Sequence, residues 1–382
     1  MINRILADNI KKQLFQSKAI ILMGCRQIGK TTLLEKLFKN DEATLWLNGD
    51  DFDVRAMFDK PSADRLRSLI GNKKVIIIDE AQRITDIGVK LKLITDQIKD
   101  VQLIATGSSS FDLSNEINEP LTGRKREFQL YPLSFAEMVG HHGLLTEKRL
   151  LPHRLIYGYY PAVVTANGDE KVTLKELADS YLYKDILRFG IIKKSEKITK
   201  LLQALAYQIG SQVSYNELAQ LVGIDSKTVE SYITILEKSY IIFRLNCFSR
   251  NLINELKSTR KIYFYDNGIR NALIANFAQP EMRADMGCLW ENFIISERIK
   301  RNTYQNVWAN KYFWRTKYQQ EIDYIEESDG KLYAYEFKYN TNKKVNMPKS
   351  FSESYPDATF QIITPDNIED FVLQATPQDP AV

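Results

Sequence analysis

An apolar run, a loop bounded by two glycines and a helix-patterned segment follow one another in residues 19–38, and together they restrict the fold more than any other part of the chain. Ala19-Ile20-Ile21-Leu22-Met23 reads as a buried strand and Thr32-Leu33-Leu34-Glu35-Lys36-Leu37-Phe38 as an amphipathic helix. Between them, Gly24-Cys25-Arg26-Gln27-Ile28-Gly29-Lys30-Thr31-Thr32 fits G-x-x-x-x-G-K-[ST], the phosphate-binding P-loop pattern. Gly24 and Gly29 tolerate backbone angles that a Cβ forbids, so successive N–H groups turn toward a phosphate chain at the positive end of the helix. The pattern assigns all nine residues to a nucleotide site, with Lys30 reaching the β- and γ-phosphates and Thr31 ligating Mg²⁺. A plain glycine turn between strand and helix is the other reading.

Val75-Ile76-Ile77-Ile78-Asp79-Glu80 places two carboxylates after four β-branched residues, the Walker-B form of a buried central strand ending at the mouth of a nucleotide site. Asp79 would hold Mg²⁺ through its water shell, and Glu80 would polarise the water attacking the γ-phosphate. Strand-like segments at 43–48 and 101–105 and helix-like ones at 62–70 and 89–98 keep alternating, so the sheet is expected to be mostly parallel. The turn Gly49-Asp50-Asp51 is expected near the nucleotide. In Thr106-Gly107-Ser108-Ser109-Ser110, Ser108 is either a sensor of the γ-phosphate or part of a serine-rich turn. Leu121-Thr122-Gly123-Arg124-Lys125-Arg126 concentrates cations, and Arg124 could complete a nucleotide site in its own chain or a neighbour's, or sit in a solvated loop.

With 382 residues the chain has room for two or three domains. A net charge of +4 over so large a surface permits nucleic acid without demanding it. Cys25, Cys247 and Cys288, three and scattered, point to a reducing compartment and cannot make a zinc site by spacing alone. The polar interruptions in residues 1–10 speak against a signal peptide, and no apolar run reaches membrane-spanning length, so a cytoplasmic protein is expected.

From Pro132 to about Gly190 the pattern turns helical, interrupted at Tyr157-Gly158-Tyr159-Tyr160-Pro161. Residues 213–222 and 226–238, joined by Gly223-Ile224, read as a helix-turn-helix, and the strand-like Ile241–Leu245 suggests a wing. Lys227, Thr228, Ser231 and Thr234 could meet DNA, whereas Glu230 and Glu237 would repel phosphate. Arg250, Lys257, Arg260 and Lys261 follow. In the last third, Glu291 lies on a helix, Glu321-Ile322-Asp323 on an alternating strand, and Glu336-Phe337-Lys338 on the next. Alternation points Glu336 and Lys338 the same way, and antiparallel pairing brings Asp323 beside them. That is the PD-(D/E)XK pattern, in which Asp323, Glu336 and Glu291 would hold a divalent metal and Lys338 would orient water. A cross-strand ion pair on a wet face is the alternative.

The order of these parts resembles prokaryotic AAA-superfamily ATPases whose C-terminal half is a domain of unknown function with a winged helix and a PD-(D/E)XK nuclease-like fold. The stretches that carry the resemblance are Gly24–Thr32, Leu47–Asp51, Ile77–Gln82, Thr106–Ser110, Leu121–Arg124, Pro132–Glu137, Tyr181–Ile186, Tyr263–Gly268, Leu289–Phe293, and the set Asp323, Glu336, Lys338. The resemblance implies an α/β chain: an AAA-type P-loop parallel sheet in 1–131, a helical lid and connector in 132–195, a winged helix in 196–265, and an α/β PD-(D/E)XK-like domain in 266–382. It also implies ATP and Mg²⁺ as cofactors and ATP hydrolysis as the activity. Three functions stay open: an ATPase coupled to a nucleic-acid-binding or nuclease-like module, a nucleotide-gated binding switch with an inert nuclease-like fold, and an ATP-regulated metal-dependent DNA nuclease. DNA first, a protein partner and oligomerisation remain open; a membrane partner does not.

Overall fold

The computed structural model describes residues 2–39, 41–59, 62–108, 117–187, 195–249, 260–340 and 345–373, with no side chains described for 180–187 and 195. Ser109, Ser110, Arg250, Lys257 and the side chains of Tyr181–Ile186 therefore lie outside the described residues. Two compact units form, one from Asn3–Tyr131 with Lys238–Tyr240, the other from Pro132–Glu237 with Ile241–Val382.

The first unit is built on five parallel strands, β1 (Ala19–Met23), β2 (Thr44–Asn48), β3 (Val75–Asp79), β4 (Gln102–Gly107) and β5 (Lys125–Gln129), in the order β2-β3-β4-β1-β5. The three inner strands are nearly wholly apolar because helices cover both faces of a parallel sheet, whereas edge strands β2 and β5 carry polar, partly exposed residues. Ile21, Ile76, Ile78, Leu103 and Ala105 join the helix residues Leu66, Ile70, Leu91 and Ile94 in one core. Helix Ala63–Ile70 starts where Ser62 accepts a hydrogen bond from the Arg65 amide at 3.2 Å. Since β4 lies between β1 and β3, whatever ends β4 is delivered between the P-loop and the Asp79-Glu80 pair.

The second unit begins with helices Phe135–His142, Leu144–Tyr157, Pro161–Val164 and Glu170–Leu187. Ser134 and Glu137 close a capping box at the first of them. The break at 157–161 has a specific packing reason. Gly158 (φ +73°) lies where a Cβ would be 2.2 Å from the Asp266 carboxylate, and the Asp266 carboxylate accepts the Tyr159 amide at 2.6 Å. Gly268 in turn faces the Tyr157 carbonyl, where a Cβ would be 2.1 Å away.

Strands β6 (Gln212–Val213), β7 (Ile242–Cys247), β8 (Arg260–Phe264), β9 (Asn310–Arg315), β10 (Glu321–Ser328), β11 (Lys331–Phe337) and β12 (Thr359–Ile363) form one mixed sheet, ordered β12-β11-β10-β9-β7-β8-β6. Val213 belongs to β6, paired with Arg260, and not to the helix expected from 213. Ser214 caps that helix, which spans Tyr215–Val222 and ends at Gly223 (φ 72°, ψ 50°), and Ser226–Lys238 follows the turn. The parallel pairs Asn246↔Tyr312 and Cys247↔Phe313 make the strands on either side of the helix Met286–Tyr304 a single sheet. That helix is buried almost all round, so its polar residues need partners: Arg298 binds Glu326 through Nε and Nη2, and Asn292 serves both the N–H and C=O of Phe264.

Candidate functional site

The P-loop joins the end of β1 to helix Lys30–Phe38. Gly24 (φ +151°) packs so closely that a Cβ would stand 2.2 Å from the Leu130 carbonyl oxygen. Gly29 (φ 90°, ψ 31°) opens instead onto free space. No side chain caps this helix, so the amides of its first turn are available to an anion. Cys25 and Ile28 are buried, Gln27 (φ 58°) is exposed, and Arg26 is half-buried. The Lys30 ammonium, 6% exposed, donates to the carbonyls of Gly24 and Cys25 at 2.8 Å each. Arg4, outside every motif, donates to the Ile28 carbonyl at 3.0 Å and braces the loop.

Across from the loop, both oxygens of Asp79 are held. Thr31 Oγ1 donates to one at 2.8 Å, while the Thr106 hydroxyl and the Glu80 amide, the latter at 3.2 Å, donate to the other. Hydroxyl and carboxylate oxygens converging at the first turn of the P-loop helix are the hard donors Mg²⁺ takes, with waters and phosphate oxygens completing its shell, so Thr31 and Asp79 fit the ion. Glu80 has a left-handed backbone (φ 50°, ψ 43°), fastened by its amide to Thr106 Oγ1 at 3.0 Å. Gly49 is required there, since a Cβ on it would come within 2.4 Å of the Glu80 carbonyl oxygen. The turn 49–51 is thus beside Glu80, but its acids are occupied: Asp50 pairs with Arg83 at 2.8 Å and Asp51 caps helix Phe52–Met57.

Ser108 is buried, and its Oγ accepts from Gln82 Nε2 at 3.1 Å. Arg124 is not brought to this site. It precedes β5, where Lys125 pairs with Ala19, the first residue of β1, whereas the P-loop follows the last. It binds Asp96 at 2.6 Å and lines a cleft of about 490 Å³ at that remote end of the sheet. Completion of the site by Arg124 within its own chain is therefore excluded by the parallel topology. No motif assigns Thr106 or Gln82 a role of its own, although both lie in stretches that carry the resemblance. Their signal was the polar ending of an otherwise apolar β4, and an amide two residues past Glu80.

The second unit brings Glu291, Asp323, Glu336 and Lys338 together. The antiparallel register Tyr324↔Tyr335 sets Asp323 opposite Glu336. Lys338 Nζ lies 2.6 Å from Glu336 Oε1 and 3.9 Å from Asp323 Oδ2, and the Phe337 amide donates to Asp323 at 2.8 Å. A further cation completes the cluster. Lys261 of β8, 1% exposed, reaches Glu291 at 3.0 Å and Glu321 at 2.5 Å, and Arg315 reaches Glu321 at 2.9 Å. Burial, then the charges of Glu291 and Glu336, hold the Asp323 carboxyl well above the ordinary carboxylate range. Glu291, Glu321 and Glu336 are thus paired with Lys261, Arg315 and Lys338. Among the described residues no group of three or more His, Cys, Asp or Glu is arranged to hold a metal ion. The cluster thus fits its lysines and not the metal that its spacing suggests.

Comparison with known proteins agrees with the first unit's geometry. Residues 16–139 match the family described as AAA domain. The N-terminal unit carries an AAA domain. Residues 148–280 and 286–376 match two further families, each described only as a domain of unknown function (DUF8612 and DUF4143). An uncharacterised protein of Mycobacterium tuberculosis is 26% identical over 345 residues, covering 89% of this chain and 74% of the relative. One of Haemophilus influenzae is 25% identical over 376 residues, covering 89% of each. A Walker-type ATPase of Pyrococcus abyssi shares the fold over 72% of this chain and 96% of its own, with a TM-score of 0.52 at 14% identity. Among the described residues no helix is long and apolar enough to cross a membrane.

Proposed function

We propose that the chain hydrolyses ATP in its AAA domain and couples nucleotide state to a C-terminal half that binds nucleic acid, DNA in the first place, without cutting it. The observation that carries the ATPase reading is the network in which Thr31 and Thr106 hold the two oxygens of Asp79 while Thr106 also fixes Glu80. Mg²⁺ held by Thr31 and Asp79 would neutralise charge on the β- and γ-phosphates. The chain itself supplies the cradle of loop amides, the Lys30 ammonium, and Glu80 as acceptor of the water's proton.

Binding without cutting is favoured by the lysine-closed cluster, since acids already paired with Lys261, Arg315 and Lys338 offer a divalent ion little gain. For the nucleic-acid contact, helix Ser226–Lys238 exposes Lys227 and Ser231, with Thr228 and Thr234 half-buried beside them. Of its two opposing acids, Glu237 is taken up by Arg244. Three measurements test the reading. ATP turnover should appear and respond to duplex DNA; no turnover would refute the ATPase. DNA affinity identical with ATP and with ADP, and no DNA effect on turnover, would refute the coupling. Labelled DNA should stay intact in Mg²⁺ or Mn²⁺, and cutting that Asp323→Ala abolishes would restore the nuclease reading.

A further inference from the structure

Gln82 lies two residues beyond Glu80, in the short turn Ala81–Arg83 that follows β3. Its Nε2 donates to Glu80 Oε2 at 2.6 Å and to Ser108 Oγ at 3.1 Å. Its Oε1 is shut off from solvent and has no hydrogen-bond partner among the described residues. A buried amide that spends both donor contacts on the base and on the end of β4, and leaves its acceptor unsatisfied, carries a free-energy cost with no structural return. The backbone of Glu80 is already fixed by Thr106 and by the close approach of Gly49, so the chain does not need Gln82 to form the turn. What Gln82 adds is the direction of the carboxylate. It occupies Glu80 Oε2, and Glu80 Oε1 is left for another donor.

We propose that Gln82 is a positioning residue for ATP hydrolysis, holding the Glu80 carboxylate for proton abstraction through its Nε2 hydrogen bond to Oε2. In the step it serves, the water oxygen bonds to the γ-phosphorus and the bond from that phosphorus to the β,γ-bridging oxygen breaks. One water hydrogen goes to Glu80 Oε1, the other stays on the new phosphate oxygen, and ADP and inorganic phosphate result. A carboxylate tethered at Oε2 presents Oε1 to the water in one direction, which favours the productive geometry. The inference rests on the ATPase reading and adds a residue to it.

The test compares the parent, Gln82→Met, Glu80→Gln and the double variant in the full chain, with turnover followed by phosphate release and affinity by calorimetry with a non-hydrolysable ATP analogue. Met keeps the length and removes both polar ends, so kcat should fall about ten- to a hundredfold, the worth of one or two hydrogen bonds to a charged group. Affinity for the analogue should stay within about twofold, because Gln82 touches no phosphate-cradling group. In the Glu80→Gln background, Gln82→Met should cost nothing more, since it acts through the group already disabled. Turnover within about twofold of the parent, an equal loss of affinity, or a full additional loss in the double variant would each overturn the proposal. Should the Met variant not fold, Gln82→Asn, an amide too short to span Glu80 and Ser108, is read by the same criteria. A parent that turns over no ATP would instead remove the ATPase reading, and this inference with it.

Discussion

Replacing Lys261 with Met tests whether the C-terminal cluster is held by its own cations. Lys261 is 1% exposed, and its ammonium lies between Glu291, whose side chain is 15% exposed, and Glu321, 24% exposed. Burial alone would lower its pKa, but Glu291, Asp323 and Glu321 together outweigh burial and raise it above the ordinary 10.5. Met keeps the stem against the Phe313 ring, over which the ammonium stands at 5.4 Å, and removes only the charge. Glu291 then retains the Tyr263 hydroxyl at 2.6 Å and Glu321 retains Arg315. Removing one partner of a buried pair costs about 3–5 kcal/mol, and the partial exposure of both acids points to the lower end. For a unit of this size that is a fall of roughly 6–12 °C in the melting temperature. A raised lysine pKa contributes stability that is complete below the unfolded value and lost as pH rises through the folded one. The loss should therefore be flat from about pH 6 to 9 and shrink only in strong alkali. Calorimetric melting of parent and variant at pH 7 reads it, and Mn²⁺ is added in parallel. A fall under about 1 kcal/mol would show the charge to be hydrated and replaceable. A parent melting temperature that rises with Mn²⁺, and stops rising in Asp323→Ala, would refute the metal-free reading outright.

Three other outcomes follow from particular contacts. Lys30→Ala should abolish tight ATP binding in a filter or calorimetric assay, because the remaining loop offers mainly neutral N–H donors; unchanged affinity would remove the P-loop assignment. Glu80→Gln should keep ATP bound and lower turnover by roughly a hundredfold or more, since the amide has the shape but not the basicity; parental turnover would show that Glu80 is not the base. Glu326→Gln should cost about 3–5 kcal/mol at pH 7 by leaving fully buried Arg298 with half a partner. Burial pushes Glu326 up but Arg298 outweighs it and leaves the carboxyl below its ordinary 4.5. A depressed acid contributes stability above the unfolded pKa and loses it as pH falls, so the penalty should narrow below pH 4.5, and equal denaturation midpoint shifts at pH 7 and pH 4 would count against the pair.

What could be read from the chain is what is local in it. The P-loop, its flanking strand and helix, and the strand before Asp79 are each set by composition and period within ten or so residues. Helix starts were legible wherever a serine stood before an apolar period, as at Ser62. At Ser214 the cap itself ended the preceding strand, and the one-residue misplacement of Val213 came from counting an apolar residue into the helix it precedes. The polar end of β4 and the amide past Glu80 are visible locally, but what Thr106 and Gln82 do there is not, because it depends on β4 entering the sheet between β1 and β3. Lys261 shows the same limit more sharply. It looked like one more cation after a helix-turn-helix, and it acquires its meaning only when two parallel residue pairs, Asn246↔Tyr312 and Cys247↔Phe313, bring β8 into the same sheet as β10.

Both units set carboxylates on strands, and what separates the two sites is the kind of donor that surrounds each. Asp79 is held by hydroxyls and an amide, which orient its oxygens without cancelling their charge. Its negative charge, facing a loop built for phosphates, calls for a divalent ion to bridge the two. Glu291, Glu321 and Glu336 are held by Lys261, Arg315 and Lys338, and Asp323 by the Phe337 amide. There a divalent ion would have to displace ammonium groups that already satisfy the acids. Carboxylates stand on strands in both cases, but the electrostatic demand is opposite, and Thr106, Lys261 and Arg315, which neither pattern includes, help to set it.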